Sequence, residues 1–210
     1  MPSGAVQEAE VGQQVFVVDD DDAQRDSLVW LLESHGYAVR AFSSAEAFLA
    51  AWNGNFVGCL LLDVRMPGMS GLELFGWLAR RNSALPVVFI TGHGDVPMAV
   101  EALRKGAANF IEKPFSAEEM LRIVENCLAQ EREGRTQRRN QADTAHRLAQ
   151  LTVREREVLD LVIAGKLNKQ IADVLGISIK TVEVHRARVM DKMGVTTMAS
   201  LIRRVMSAGL

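Results

Sequence analysis

"CLLLDVRMPGMSG", residues 59–71, joins four consecutive apolar residues to a lone carboxylate, Asp63, and then to a segment broken by Pro67, Gly68 and Gly71. An apolar run of this length, bounded by turn residues, reads as a strand buried on both faces, as in a parallel sheet covered by helices. The acid stands where such a strand leaves the core. Short apolar runs recur as "VFVV" (15–18), "AVRAF" (38–42), "VVFIT" (87–91) and "NFIE" (109–112). Helical spacing fills the intervals, first with Leu28, Leu31, Leu32 and His35, then with "SSAEAFLAAW", "GLELFGWLARR" and "VPMAVEALRKG". Ser43 and Glu46 stand three apart, the spacing of a capping box. A further helix is expected to begin near Ser116, with Glu118 and Glu119 in its first turn. Five βα units without hairpin signals predict an α/β unit, a doubly wound five-stranded parallel sheet. Its functional loops then lie beyond the carboxyl ends of the strands.

Those ends are polar. Asp19 and Asp20 follow the first strand, Asp63 the third, Thr91 closes the fourth and Lys113 follows the fifth, so a parallel sheet gathers all five at one edge. Crowded carboxylates raise one another's pKa unless a cation intervenes. Mg²⁺, which takes oxygen ligands, suits Asp20 and Asp63 directly and Asp19 through water. An aspartate can also attack phosphorus to form an acyl phosphate, and Asp63, alone on the middle strand, is the candidate phosphoacceptor. Phosphoryl transfer needs charge neutralisation and positioning, which Mg²⁺ and Lys113 would supply. The Thr91 hydroxyl could then donate to the new group and pull on the loop after the fourth strand. Alone, an Asp after a strand is usually a turn former; the combination carries the reading. Asp21 and Asp22 receive no role. A phosphatase-like enzyme would need a general acid or base at a strand end, where no His or Glu stands, although Glu112 is adjacent.

The net charge of -2 conceals an asymmetry. Residues 1–128 hold 9 Lys/Arg against 17 Asp/Glu, a balance of -8, and residues 129–210 hold 15 against 9, a balance of +6. A basic excess in a small unit suits a polyanion, or a solvated surface. Residues 129–150 are highly polar and either prolong the preceding helix or form a linker. From residue 151 the pattern is all helical. Thr152 and Glu155 form a capping-box pair and Gly165 ends that helix, Asn168 and Gly176 bracket the next, and Ser178 and Gly194 the third. A fourth, "TMASLIRRVM", carries Met198, Leu201, Ile202 and Val205 on one stripe.

Two short helices around a Gly-containing turn make a helix-turn-helix candidate. On its second helix, from Ile179 to Met193, Val182, Val189 and Met193 face inward. Lys180, Val184, Ala187 and Asp191 face the other way, flanked by Glu183 and Arg188. Lys or Arg reads guanine, Glu accepts from cytosine, and Val or Ala touches thymine methyls in a major groove. Lys169, Arg186, Lys192 and the helix N-termini are the candidate phosphate contacts. A protein-interaction module with a wet charged face would show the same periodicity. His185, about 60° from the apolar face, is expected to pack or bond locally.

Residues 14–128, through "VFVVDDD", "LLLDVRMPGMSGLEL", "VVFITGHGDVPMAVEALRKGA" and "NFIEKPF", resemble the receiver domains of two-component response regulators, above all of the FixJ type. "LTVREREVLDLVIAG", "NKQIADVLGIS" and "KTVEVHRARVMDKMGV" resemble the LuxR/GerE-type helix-turn-helix. The first resemblance implies a flavodoxin-like receiver in which Asp63 accepts phosphate from a histidine kinase. Asp19 and Asp20, with the backbone carbonyl of Arg65, then complete a Mg²⁺ site. It further implies Thr91 and Phe110 as switch residues and a cis bond at Lys113–Pro114. Together the two imply a receiver over residues 1–128, a charged connection over 129–147 and an all-α four-helix DNA-binding domain over 148–210. Lys169, Lys180, Thr181, Glu183, Val184, Ala187, Arg188 and Lys192 are its candidate DNA contacts. Glu183 is acidic where many relatives carry a base, so their base preferences do not transfer.

The expected protein is a regulator rather than an enzyme, limited to self-directed phosphoryl transfer and autodephosphorylation. It dimerises on phosphorylation and activates transcription from promoter DNA, with RNA polymerase as a further partner. No apolar run reaches the roughly 18 residues of a membrane span, and the polar, acidic start "MPSGAVQEAEVGQQ" lacks a signal peptide's pattern, which predicts a cytoplasmic protein. Cys59 and Cys127 are expected to be reduced, packed thiols.

Overall fold

A computed structural model describes residues 12–92 and 96–208, the side chains of residues 96, 97 and 99 excepted. The sequence reading of the N-terminal segment lies largely outside the described residues, as do His93, Gly94 and Asp95 in the loop after the fourth strand. The chain divides into two compact units between Gly134 and Arg135.

The first unit is a five-stranded sheet in the order β2-β1-β3-β4-β5. Its strands are β1 (Gln14–Val18), β2 (Val39–Phe42), β3 (Gly58–Asp63), β4 (Val87–Thr91) and β5 (Asn109–Glu112). Every pairing is parallel. Alternation along the strands separates two cores. Phe16, Val18, Leu60, Leu62, Val87 and Phe89 point to the face covered by α2 (Ala45–Ala51), α3 (Gly71–Arg80) and α4 (Val96–Arg104). Val15, Val17, Cys59, Leu61, Val88 and Ile90 point to the face covered by α1 (Asp22–Ser34) and α5 (Ala117–Ala149). Because β3 is buried on both sides, its apolar residues run without interruption. Both cysteines are free and buried, and burial pushes the Cys127 thiol up to about 11, which leaves it protonated and inert.

The aromatics collect at one end of the α2 side, where Phe48 meets Phe16 and Phe42 edge-on and Trp52 and Phe56 complete the cluster. Trp77 lies under the Arg81 guanidinium, 3.6 Å from ring centroid to carbon, and Trp30 projects from α1, 73% exposed.

The α2 cap differs from the expected one. Ser44, rather than Ser43, accepts from the Ala47 amide, and Glu46 turns outward to another loop. Residues 129–149 continue the helix begun at Ala117, and their side chains dock locally. Gln13 donates to Leu128 O (2.6 Å) and Glu131 Oε2 (2.7 Å) in the first unit, while Leu148 enters the core of the second.

The second unit adds α6 (Val153–Ile163), α7 (Asn168–Leu175), α8 (Ile179–Met193) and α9 (Met198–Ser207) to the end of α5. The capping box between Thr152 and Glu155 is formed, Ser178 caps α8, and Gly176 and Gly194 close α7 and α8 in the left-handed conformation. Val182, Val189 and Met193 of α8 are buried, with Leu201 and Val205 of α9 packed beside the latter two. Asn168 is the first helical residue of α7 instead of its cap; its Oδ1 accepts from Arg186 Nη1 at 2.6 Å. No helix among the described residues is long and apolar enough to cross a membrane.

Candidate functional site

The strand ends converge as a parallel sheet requires. Asp19 follows β1 and is fully buried, Asp20 is exposed, and Asp63 ends β3 half-buried. Carboxylate oxygens from the three lie within 4.8 Å of one another. Lys113 reaches back from the end of β5, its Nζ 3.3 Å from Asp63 Oδ1 and 3.4 Å from Asp19 Oδ2. Its amide donates to Thr91 O at 2.8 Å, and the Lys113–Pro114 bond is cis. Asp19 is held from two sides: its Oδ1 accepts from the Asp21 amide at 2.9 Å and its backbone carbonyl from Arg25 Nη1 at 2.9 Å.

One ammonium does not balance three carboxylates. Burial raises the Asp63 pKa above the ordinary carboxylate value and Asp19 adds to the rise, while Lys113 opposes both. The donor set is oxygen only, with acidic groups converging from two strands. This fits a hard divalent cation such as Mg²⁺ and not the N/S ligation of zinc.

Thr91 is fully buried at the end of β4, and its hydroxyl lies 3.4 Å from Ile111 O on β5, a long and weak hydrogen bond. Phe110, half-buried, pairs in register with Phe89 and packs on the α2–α4 side. Arg65 is the second residue after β3 and is exposed.

The loop from Val64 to Ser70 carries three ties that sequence reasoning did not reveal. The Gly71 amide donates to Val64 O at 3.1 Å, and a side-chain carbon on Gly71 would fall 2.0 Å from Asp63 O. Ser70 and Glu73 form a capping box for α3, an S-x-x-E signal that the sequence does contain. Glu46 of α2 accepts the Met69 amide at 2.9 Å from across 23 residues, a partner no local pattern predicts.

In the second unit, Lys180, Glu183, Val184, Ala187, Arg188 and Asp191 are all exposed on α8, and Lys169 is exposed on α7. Thr181 is partly covered, its Oγ1 2.8 Å from Ser178 Oγ. Two candidate phosphate contacts are engaged inside the unit. Arg186 holds Asn168. Lys192 is turned toward the core, where its Nζ sits 2.6 Å from Glu155 Oε2 and 3.2 Å from Gln150 O. That hydrogen bond draws the pKa of buried Glu155 down to about 2. A buried carboxylate requires a counter-charge, and this need removes Lys192 from the outward-facing set. The Nδ1 of His185 is buried without a hydrogen-bond partner among the described residues.

Residues 15–125 match the response regulator receiver domain, and residues 149–205 match the bacterial regulatory proteins of the luxR family. The chain is similar to the transcriptional regulatory protein FixJ of Bradyrhizobium diazoefficiens, 44% identical over 93% of this chain and 96% of that one. It is likewise similar to FixJ of Azorhizobium caulinodans, 47% identical over 93% of each. Among solved structures, the response regulator StyR gives a TM-score of 0.82 at 44% identity over 92% of this chain and 98% of that one. Full-length FixJ from B. japonicum gives 0.60 at 44% identity over 94% and 97%. The receiver and luxR-type matches follow one another along this chain, and the chain belongs to the FixJ-type two-component response regulators, transcription factors rather than classical enzymes.

Proposed function

We propose that Asp63 accepts a phosphoryl group from a sensor histidine kinase, and that this modification promotes dimerisation and sequence-specific DNA binding to activate transcription. The observation that carries the reading is the convergence of Asp63, Asp19 and Lys113 at one sheet edge, with Lys113 Nζ 3.3 Å from the Asp63 carboxylate. In the transfer an Asp63 oxygen forms the new O–P bond as the N–P bond of phosphohistidine breaks. The electron pair stays on the imidazole nitrogen, which takes up a proton, and the product is an acyl phosphate. Lys113 offers its ammonium to the phosphoryl oxygens, and Arg25 and the Asp21 amide keep Asp19 in place. Bound Mg²⁺, held by Asp19, Asp20, Asp63 and the backbone carbonyl of Arg65, supplies the charge neutralisation that phosphoryl transfer requires.

The weak Thr91–Ile111 link makes the switch inexpensive. A phosphoryl oxygen is a stronger acceptor than the Ile111 carbonyl at 3.4 Å, so the Thr91 hydroxyl moves to it and Phe110 repacks beside α4. The receiver is assigned to residues 1–128 and the DNA-binding domain to residues 148–210, with 129–147 as their helical connection. α8 is the reading helix. Lys180, Glu183, Val184, Ala187 and Arg188 face base edges, Thr181 and Lys169 contact phosphates, and RNA polymerase is the downstream partner. A dimer places two such helices on paired half-sites, which multiplies modest single-domain affinity.

The test is DNA selection from a random pool at fixed salt, with and without Mg²⁺ and a small phosphodonor, followed by affinity and mass for wild type and Asp63→Asn. Tighter binding and dimer mass in the phosphorylated wild type alone are expected. Specific binding indifferent to phosphate would overturn the coupling.

A further inference from the structure

The loop that follows Asp63 is tied at both ends within its own sequence, through the Gly71–Val64 hydrogen bond and the Ser70–Glu73 capping box. Its middle, at Gly68 and Met69, is held from elsewhere. Glu46, the second residue of α2, sends its carboxylate across to the turn, where Oε1 accepts the Met69 amide at 2.9 Å. The same oxygen lies against Gly68, which adopts a positive φ of 73°; a side-chain carbon there would come within 2.7 Å of it. The approach therefore depends on glycine, for conformation and for space.

Glu46 has no other assignment. It is exposed and forms none of the core, and α2 already has its cap in Ser44. Its pKa is nonetheless held below the ordinary value, first by its own backbone amide and then by the Met69 amide and the Ser44 side chain, so the carboxylate is ionised when it accepts the Met69 bond. A charge-assisted bond to a backbone amide is stronger than a neutral one and fixes the peptide's plane.

We propose that Glu46 is a positioning residue for the phosphoacceptor loop: by clamping Met69 from α2, it sets the path of residues 64–69 and hence the direction of the Arg65 carbonyl beside Asp63. This inference rests on the proposed function, in which that carbonyl is a Mg²⁺ ligand. A loop with a loose middle still leaves Asp19, Asp20 and Asp63 in place at the ends of β1 and β3. It must order the Arg65 carbonyl each time the cation binds, and the cost appears as weaker metal affinity.

The full chain carrying Glu46→Ala or Glu46→Gln is compared with wild type in three measurements. These are Mg²⁺ affinity by calorimetric titration with the metal alone, amide hydrogen exchange over residues 64–72, and the rate of Asp63 labelling by a small phosphodonor at limiting and saturating Mg²⁺. Alanine is a good helix former at this exposed site, so the fold is retained. Glu46→Ala is expected to weaken Mg²⁺ binding about three- to tenfold, at or below the range for groups that support a metal ligand. It should also speed exchange in the loop, with a labelling defect largest at limiting Mg²⁺. Glu46→Gln, whose amide oxygen can still accept from Met69, should recover most of the loss. Mg²⁺ affinity unchanged in Glu46→Ala, or Glu46→Gln no better than Glu46→Ala, would overturn the inference while leaving the phosphoacceptor reading intact. A wild-type chain that neither binds Mg²⁺ nor is labelled at Asp63 would overturn both.

Discussion

Replacing Lys192 with methionine separates the two roles open to a cation at that point of α8, a phosphate contact and a buried counter-charge. Glu155 is 3% exposed and has its pKa drawn from 4.5 to about 2, with the Lys192 hydrogen bond as the largest cause. The full displacement corresponds to about 3 kcal/mol. Part of it belongs to the Thr152 cap, which the substitution leaves, and Lys192 itself is 32% exposed and partly screened. The expected loss is therefore about 2 kcal/mol. For a unit of this size such a loss lowers the melting temperature by about 10 °C. A carboxylate with a depressed folded pKa contributes fully above its unfolded value and loses that contribution as pH falls through the folded one. The stability gap between wild type and Lys192→Met should accordingly shrink to under half by about pH 3. Urea unfolding followed by far-UV circular dichroism at pH 7 and pH 3 reads this gap. DNA affinity against salt reads the other role: Lys169→Ala should reduce the slope by about one, and Lys192→Met should leave it unchanged. An unaltered unfolding midpoint with a slope reduced by one would refute the counter-charge assignment.

Gly71→Ala forces a carbon to within 2.0 Å of Asp63 O, and should destabilise the receiver by about 1–3 kcal/mol in urea unfolding while slowing labelling of Asp63; an unchanged midpoint would show that the backbone there yields. Phe48→Ala empties the centre of the aromatic cluster and should cost about 3–5 kcal/mol by the same measurement. Lys113→Met removes the group that opposes the upward shift at Asp63. The carboxyl carbon of Asp63, followed by NMR in Mg²⁺-free buffer, should titrate at higher pH than in wild type, and titration at unchanged or lower pH would contradict the placement of Lys113.

The sheet was legible because its strands are buried on both faces, so that composition alone marks "CLLLD" and its companions, and because a parallel arrangement forces their polar ends together. The helix-turn-helix was legible through caps and glycines at fixed offsets. What escaped depends on distance in space. Glu46 reads as half of a local capping box until the fold brings Met69 to it, and Asn168 reads as a cap until Arg186 claims its oxygen. Lys192 shares its helical spacing with outward-facing bases, and only the burial of Glu155 turns it inward. Residues 129–149 are too polar to declare themselves by periodicity, yet Leu148, the ion pair of Asp143 with Arg204 and the hydrogen bond from Arg147 to the Lys192 carbonyl dock the end of that helix on its neighbours.

Trp30, Trp52 and Trp77 are the three tryptophans of the chain, and Tyr37 is its one tyrosine. All four belong to the first unit, in settings that range from exposed Trp30 to Trp52 in a packed aromatic cluster. Intrinsic emission therefore reports the receiver and is silent for the DNA-binding unit, whose helices dominate the far-ultraviolet signal of residues 135–208. One sample, read in two optical channels, resolves which half of the molecule melts, and a ligand that perturbs emission has acted on the receiver.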